Sequence, residues 1–162
     1  MKKIILFTLL LAGLAAGLKA QTFNQICSSG QELKYEIFPD QQNVKVVENL
    51  WKDYSGDLVI PEKVTHEGQD YLVTAIDDYA FYGSSLISVT IPNSVTFIGI
   101  WAFGRSLSSI IIDKKNPVYD SRDNCNAIIE TKTNELILGC QKTTIPNSVI
   151  SIGKYGPIGQ IW

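Results

Sequence analysis

His66 is the only histidine in a chain of 162 residues, and Cys27, Cys125 and Cys140 are its only thiols. A Ser-His-Asp or Cys-His site would have to be built on His66. That residue stands in His66-Glu67-Gly68-Gln69, between two β-rich runs, and reads as an exposed hairpin turn with Gly68 at the bend. No Gly-x-Ser-x-Gly elbow lies near it, and no pair of His or Cys residues has the spacing of zinc ligands. Asp120-Ser121-Arg122-Asp123-Asn124 is dense in oxygen atoms. It lacks the alternating Asp and Gly of a calcium loop, so it reads as a solvated turn with side-chain to backbone bonds. Asp77 and Asp78 are chain neighbours, whereas a glycosidase pair needs two carboxylates facing each other across a cleft. They read as an exposed loop pair. These residues lead us to expect no catalytic, metal or cofactor site.

Cys125 and Cys140 flank a segment that reads as a hairpin. Ala127-Ile128-Ile129-Glu130 and Leu136-Ile137-Leu138 enclose the loop Thr131-Lys132-Thr133-Asn134. With Glu130 opposite Glu135 the two thiols become direct cross-strand neighbours, their Cβ atoms about 4.5–5.5 Å apart. That is wide for an unstrained bridge, although local twist would close it. The other reading is a pair of small buried hydrophobes. A bridge would close a loop of about 15 residues, stabilise by roughly 3 kcal/mol and leave Cys27 unpaired.

The elements that must position such residues come from the wider pattern. Apolar residues make up 45% of the chain and charged residues 19%, enough for a core and unlike a disordered chain. Met1-Lys2-Lys3, an apolar run from Ile4 to Leu18, and then Leu18-Lys19-Ala20 read as a signal peptide over residues 1–20. A spanning helix would need about 20 apolar residues. This segment holds three of the 14 basic residues and none of the 16 acidic ones, so 11 face 16 afterwards, a charge of −5. With no basic cluster, the mature chain has no footprint for nucleic acid or anionic lipid. Export would place it secreted or at the cell surface, with the periplasm as an alternative and no membrane span after cleavage.

A nine-residue pattern occurs twice. Ile91-Pro92-Asn93-Ser94-Val95-Thr96-Phe97-Ile98-Gly99 matches Ile145-Pro146-Asn147-Ser148-Val149-Ile150-Ser151-Ile152-Gly153. An interrupted copy begins at Ile60-Pro61-Glu62-Lys63-Val64 and resumes at Val73-Thr74-Ala75-Ile76, after an insertion over 65–72 that reads as a hairpin. Phe81 and Phe103 follow Ile76 and Ile98 at the same interval, 22 residues apart. Within a unit, Leu86, Val89 and Ile91 alternate with Ser88 and Thr90, the pattern of a strand buried on one side. Pro92 ends the ladder, Asn93-Ser94 turns the chain, and Ala102-Phe103 plugs the core from the opposite side. Such a unit cannot bury its own apolar face, but stacked units can. The expected core is Ile60, Ile76, Phe81, Leu86, Val89, Ile91, Val95, Ile98, Phe103, Ile110, Ile112, Ile145, Val149 and Ile152.

The pattern Ile-Pro-Asn-Ser-Val-x-x-Ile-Gly-x-x-Ala-Phe resembles the BspA-like leucine-rich repeats of secreted proteins from Bacteroidetes-type bacteria. The likeness covers most of residues 27–155, including the lead-in Cys27-Ser28-Ser29-Gly30-Gln31-Glu32-Leu33 and the first-unit start Gly56-Asp57-Leu58-Val59-Ile60-Pro61. It implies a right-handed leucine-rich-repeat solenoid, mainly β, with short strands, irregular or short helical turns and inserted β-hairpins. It also implies a surface or secreted binding role, often adhesion, without catalytic residues. Units of that family usually carry Cys after Phe-x-Gly; Phe81-Tyr82-Gly83-Ser84-Ser85 and Phe103-Gly104-Arg105-Ser106 do not. In the third unit Tyr155-Gly156-Pro157-Ile158 stands where Tyr-Ala-Phe is expected.

The expected organisation is a signal peptide (1–20), an N-terminal β-hairpin cap (21–57), about three repeat units (58–155) and an irregular tail (156–162). The last unit is incomplete, and a hairpin insertion occupies 113–142. Alternation puts one row of side chains on an open sheet face: Val59, Thr90, Ile111 and Thr144, flanked by Asp57, Ser88, Ser109 and Lys142. This is the candidate binding face for an unidentified protein or glycan. Two other readings are a truncated remnant of a longer adhesin and, less favoured, a surface-polysaccharide hydrolase. The glycine-rich end after Gly153 is expected to be poorly ordered. Ile145, Val149 and Ile152 would then be partly exposed, inviting self-association through that end.

Overall fold

Runs of alternating apolar and polar residues, each ended by Gly, Pro, Asn or Asp, make the chain mainly β. The computed structural model describes residues 21–153 apart from Gln41 and Trp51. Residues 1–20, read above as a signal peptide, and the tail after Gly153, with the expectations made for them, lie outside the described residues.

The chain begins with an antiparallel meander, β1 (Thr22–Ile26), β2 (Glu32–Ile37) and β3 (Asn43–Val47). The hairpin of β2 and β3 is the expected one. β1 is an addition that period-two reading passes over, because of its five residues only Phe23 is buried. Leu33, Tyr35, Val44 and Val46 form the inner face. Burial pushes the Tyr35 hydroxyl far above the usual phenol range.

Two parallel ladders follow. The first joins β4 (Ser55–Val59) to β7 (Ser85–Ile91) and β9 (Ser109–Ile112). The second starts after the hairpin of β5 (Lys63–His66) and β6 (Gln69–Ile76), whose turn residues Glu67 and Gly68 have φ of 51° and 80°. Positive φ at both turn positions is the geometry that two-residue hairpins favour. β6 then pairs in parallel with β3 on one side and with β8 (Phe97–Ile98) on the other. The repeat interval is thus a stacking interval: Ile76 lies beside Ile98 and Phe81 bridges Phe103. The two phenyl rings stack at 5.4 Å and 12°. Each buried Phe contributes on the order of 1.5–3 kcal/mol.

Glycine at position 99 has a steric reason. Its N–H donates to the Ile76 carbonyl at 2.8 Å, and a Cβ at this position would collide with the backbone of Asp77 and Asp78.

The expected core residues divide. Ile60, Ile76, Phe81, Leu86, Val89, Ile91, Val95, Phe103, Ile110 and Ile112 are buried. Ile98 and Val149 are only half-buried, while Ile145 and Ile152 are 41% and 48% exposed. The cause lies in the segment between the second and third copies. After β9 the chain forms β10 (Tyr119–Asp120), a 3-10 turn (Arg122–Asn124), β11 (Ala127–Glu130) and β12 (Glu135–Gly139). β13 (Ser151–Ile152) then pairs in parallel with β12 instead of β8. Leu136 takes the place against Ile152 that Ile76 takes against Ile98, and the Gly153 N–H donates to the Leu136 carbonyl at 2.9 Å. A hairpin therefore separates the third copy from the second, so Ile145 and Ile152 do not join the main core.

The same hairpin corrects the cysteine pairing. Glu130 does face Glu135, but a bulge between Ile128 and Ile129 shifts the register, so that Ile128 faces Leu138. Cys125 and Cys140 end one residue out of step. Cys125 packs with Ala127, Ile129 and Leu136, whereas Cys140 belongs to the main core with Ile128. The Cys140 thiol donates to the Asn126 carbonyl at 3.2 Å. All three cysteines are free and buried.

Candidate functional site

The first ladder builds an open face. Its register sets Val59 beside Thr90 and Thr90 beside Ile111; one step back, Asp57 lies beside Ser88 and Ser88 beside Ser109. Inner positions Leu58, Val89 and Ile110 are buried, which turns the alternate residues outward. The Ser88 hydroxyl donates to Asp57 Oδ1 at 2.5 Å, joining two strands across the face. Ile111 is 54% exposed, an apolar projection beside the polar Thr90 and Ser109. A bulge between Gly56 and Asp57 leaves Ile87 without a partner on β4, and it too is exposed. The sequence pattern did not single out Ile87, because an irregularity in pairing has no signature in alternation.

Thr144 and Lys142 do not extend the rows. The Thr144 N–H donates to the Cys125 carbonyl at 3.0 Å, and the Thr143 hydroxyl donates to the Asn126 carbonyl at 2.6 Å. These bonds tie the start of the third copy to the 120–126 segment, so the ladder ends at β9. Beside β9 lies a groove of about 520 Å³ lined by Ile110, Ile112, Asp113, Lys114, Arg122 and Asp123, among others.

The residues first considered for chemistry serve as struts. His66 is not a free turn residue: it ends β5, and its ring lies flat on Phe23 at 4.2 Å and 5°. Asp77 Oδ2 sits 2.7 Å from Lys45 Nζ, and Asp78 Oδ1 accepts the Ile100 N–H at 2.8 Å. Asp120 accepts from Arg122 Nη2 at 2.6 Å, Arg122 Nε at 2.7 Å and the Thr131 hydroxyl at 3.0 Å. Burial alone would raise its carboxyl, but these donors hold it below the usual carboxylate range. Arg122 also reaches Asn134 Oδ1 at 2.7 Å, so this turn clamps the hairpin. Among the described residues no three His, Cys, Asp or Glu side chains are grouped to hold a metal ion, and no helix is long and apolar enough to cross a membrane.

No family model and no curated protein matches the chain. Solved structures do match. A leucine-rich repeat protein from Bacteroides capillosus is 25% identical, with a TM-score of 0.47, over 76% of this chain and 87% of that one. The structural neighbours are leucine-rich repeat proteins. A leucine-rich cell surface protein from Faecalibacterium prausnitzii is 28% identical, with a TM-score of 0.45, over 59% of this chain. One from Eubacterium ventriosum is 24% identical, with a TM-score of 0.45, over 60% of this chain. The chain spans only about a quarter of the length of these last two, 24% and 25% respectively.

Proposed function

We propose that the mature chain is an exported, non-enzymatic binding module that engages a protein or glycan at the cell surface through the open face of β4, β7 and β9. The observation that carries this reading is the in-register row Val59–Thr90–Ile111 beside Asp57–Ser88–Ser109. Parallel pairing gives that row a fixed spacing of about 4.8 Å, so it is a rigid surface that needs little ordering when a partner binds. The strut roles of His66, Asp77, Asp78 and Asp120 support a non-enzymatic reading, since each side chain is already engaged. The exposed Ile145, Ile150 and Ile152 suit contact with a second copy.

The test uses the mature protein against an arrayed panel of extracellular-matrix proteins and glycans. Thr90→Arg and Ile111→Glu should each abolish capture of the bound partner while leaving the circular dichroism spectrum unchanged. Capture that survives both substitutions removes the assignment of this face.

A further inference from the structure

Tyr79, Tyr82 and Trp101 form an aromatic cluster outside the open face, in the turns between β6 and β7 and between β8 and β9. The Tyr82 ring meets Tyr79 at 5.6 Å and Trp101 at 6.3 Å, both at 84°. Tyr79 and Tyr82 are 42% and 58% exposed, and Trp101 is half-buried. No described residue bonds either tyrosine hydroxyl or the indole N–H. Tyr79 and Trp101 occupy the same place in successive repeats, 22 residues apart, and both have left-handed backbone, with φ of 57° and 53°. Bulky side chains are disfavoured in that conformation, and Gly or Asn would hold the turn more cheaply. Strain of this kind, retained for a side chain that the core does not use, points to function. The turns are rigid: the Tyr79 N–H donates to the Ile100 carbonyl at 3.1 Å and the Tyr82 N–H to the Tyr79 carbonyl at 3.0 Å.

We propose that Tyr79, Tyr82 and Trp101 form a platform that binds a neutral sugar ring. A pyranose presents an apolar face of C–H groups and a rim of hydroxyls. The cluster presents aromatic carbon with three unpaired donors at its margin, the pairing of apolar body and polar tip that fixes a small ligand's orientation. Size separates this ligand from a protein. A fully exposed aromatic side chain offers about 150–250 Å², so these partly exposed rings give a few hundred Å², well below the roughly 800 Å² per partner of a stable protein interface. Charge separates it from a cation. Of the carboxylates closest in sequence, Asp77 is paired with Lys45 and Asp78 Oδ1 accepts the Ile100 N–H, so neither is a bare anion turned to the rings. This site is independent of the open face, so either assignment can fail alone.

The probes are maltohexaose, cellohexaose and mannohexaose, each titrated into the full mature protein by calorimetry. At least one should bind. Tyr82→Ala and Trp101→Asn should each weaken that binding at least tenfold. Asn tolerates the left-handed backbone, so the second variant removes the ring and keeps the turn; circular dichroism checks both folds. Tyr82→Phe should stay within about threefold, and Thr90→Arg should change nothing. Absence of binding to all three hexaoses, or binding unaffected by loss of either ring, overturns the proposal. Capture of a protein or a cationic peptide through these rings overturns it equally.

Discussion

Ile91 to Gly99 and Ile145 to Gly153 are nearly the same nine residues, yet they live in different surroundings. In the second copy Ile91 and Val95 are fully buried, and Ile98 lies beside Ile76 on a parallel neighbour. In the third copy Ile145 is exposed and Ile152 lies on β12, a strand of the hairpin. The small cluster there holds Cys125, Ala127, Ile129 and Leu136, with Val149 against it, whereas the main core extends from Phe23 through Ile112 to Tyr119, Ile128 and Cys140. A repeat sequence supplies an apolar face, and the neighbour on the other side decides how much that face stabilises.

The largest contrast should come from the stacked plug. Phe81→Ala or Phe103→Ala should each destabilise by about 3–5 kcal/mol, read from the urea midpoint. Ile152→Ala in the third copy should cost about 1 kcal/mol or less, because half of that side chain is already in water. Equal losses at the two places would mean that both copies stack alike.

The motif glycines give a sharper, smaller contrast. At Gly99 an added methyl meets the backbone of Asp77 and Asp78, which cannot rotate away; at Gly153 it meets the flexible end of Glu135 first, at 3.0 Å. Gly99→Ala should therefore cost about 1–3 kcal/mol, and Gly153→Ala well under 1 kcal/mol. A Gly153→Ala variant as unstable as Gly99→Ala would place the third copy in a tight stack.

The smallest effect concerns acid. The Asp120 carboxyl lies below its ordinary range in the folded chain: burial alone would raise it, and bonding to Arg122 and Thr131 outweighs that. Its stabilisation is whole above the unfolded value of about 3.9 and is lost as pH falls through the lower folded value. For a pair this open to solvent the loss should stay below about 1 kcal/mol. Between pH 5 and pH 2, hydrogen exchange should quicken in β10 to β13 more than in β4, β7 and β9. Asp120→Asn should flatten that difference.

Much of this was legible from residue order. Alternation marked the strands of the first ladder and their outward residues. The 22-residue interval marked which residues stack, and turn residues marked the hairpins at Gly68 and at 131–134. Three things were not legible. β1 forms because the edge of β2 offers it partners, although its own pattern is weak. The bulge at Ile128 shifts the register by one residue and parts Cys125 from Cys140. His66 looked like a bare turn until Phe23, far away in the chain, supplied a ring to lie on it.

What the sequence by itself determined is therefore periodic: which side chains face inward, where the chain turns, and how far apart equivalent residues lie. These depend on local backbone geometry, which repeats with the residues. Only the tertiary structure decided which surfaces meet. It put a hairpin between two copies of one motif, ended the outward-facing row at Ile111, and gathered Tyr79, Tyr82 and Trp101 on one side. Such outcomes turn on contacts between segments remote in the chain, where a single unpaired residue redirects everything after it.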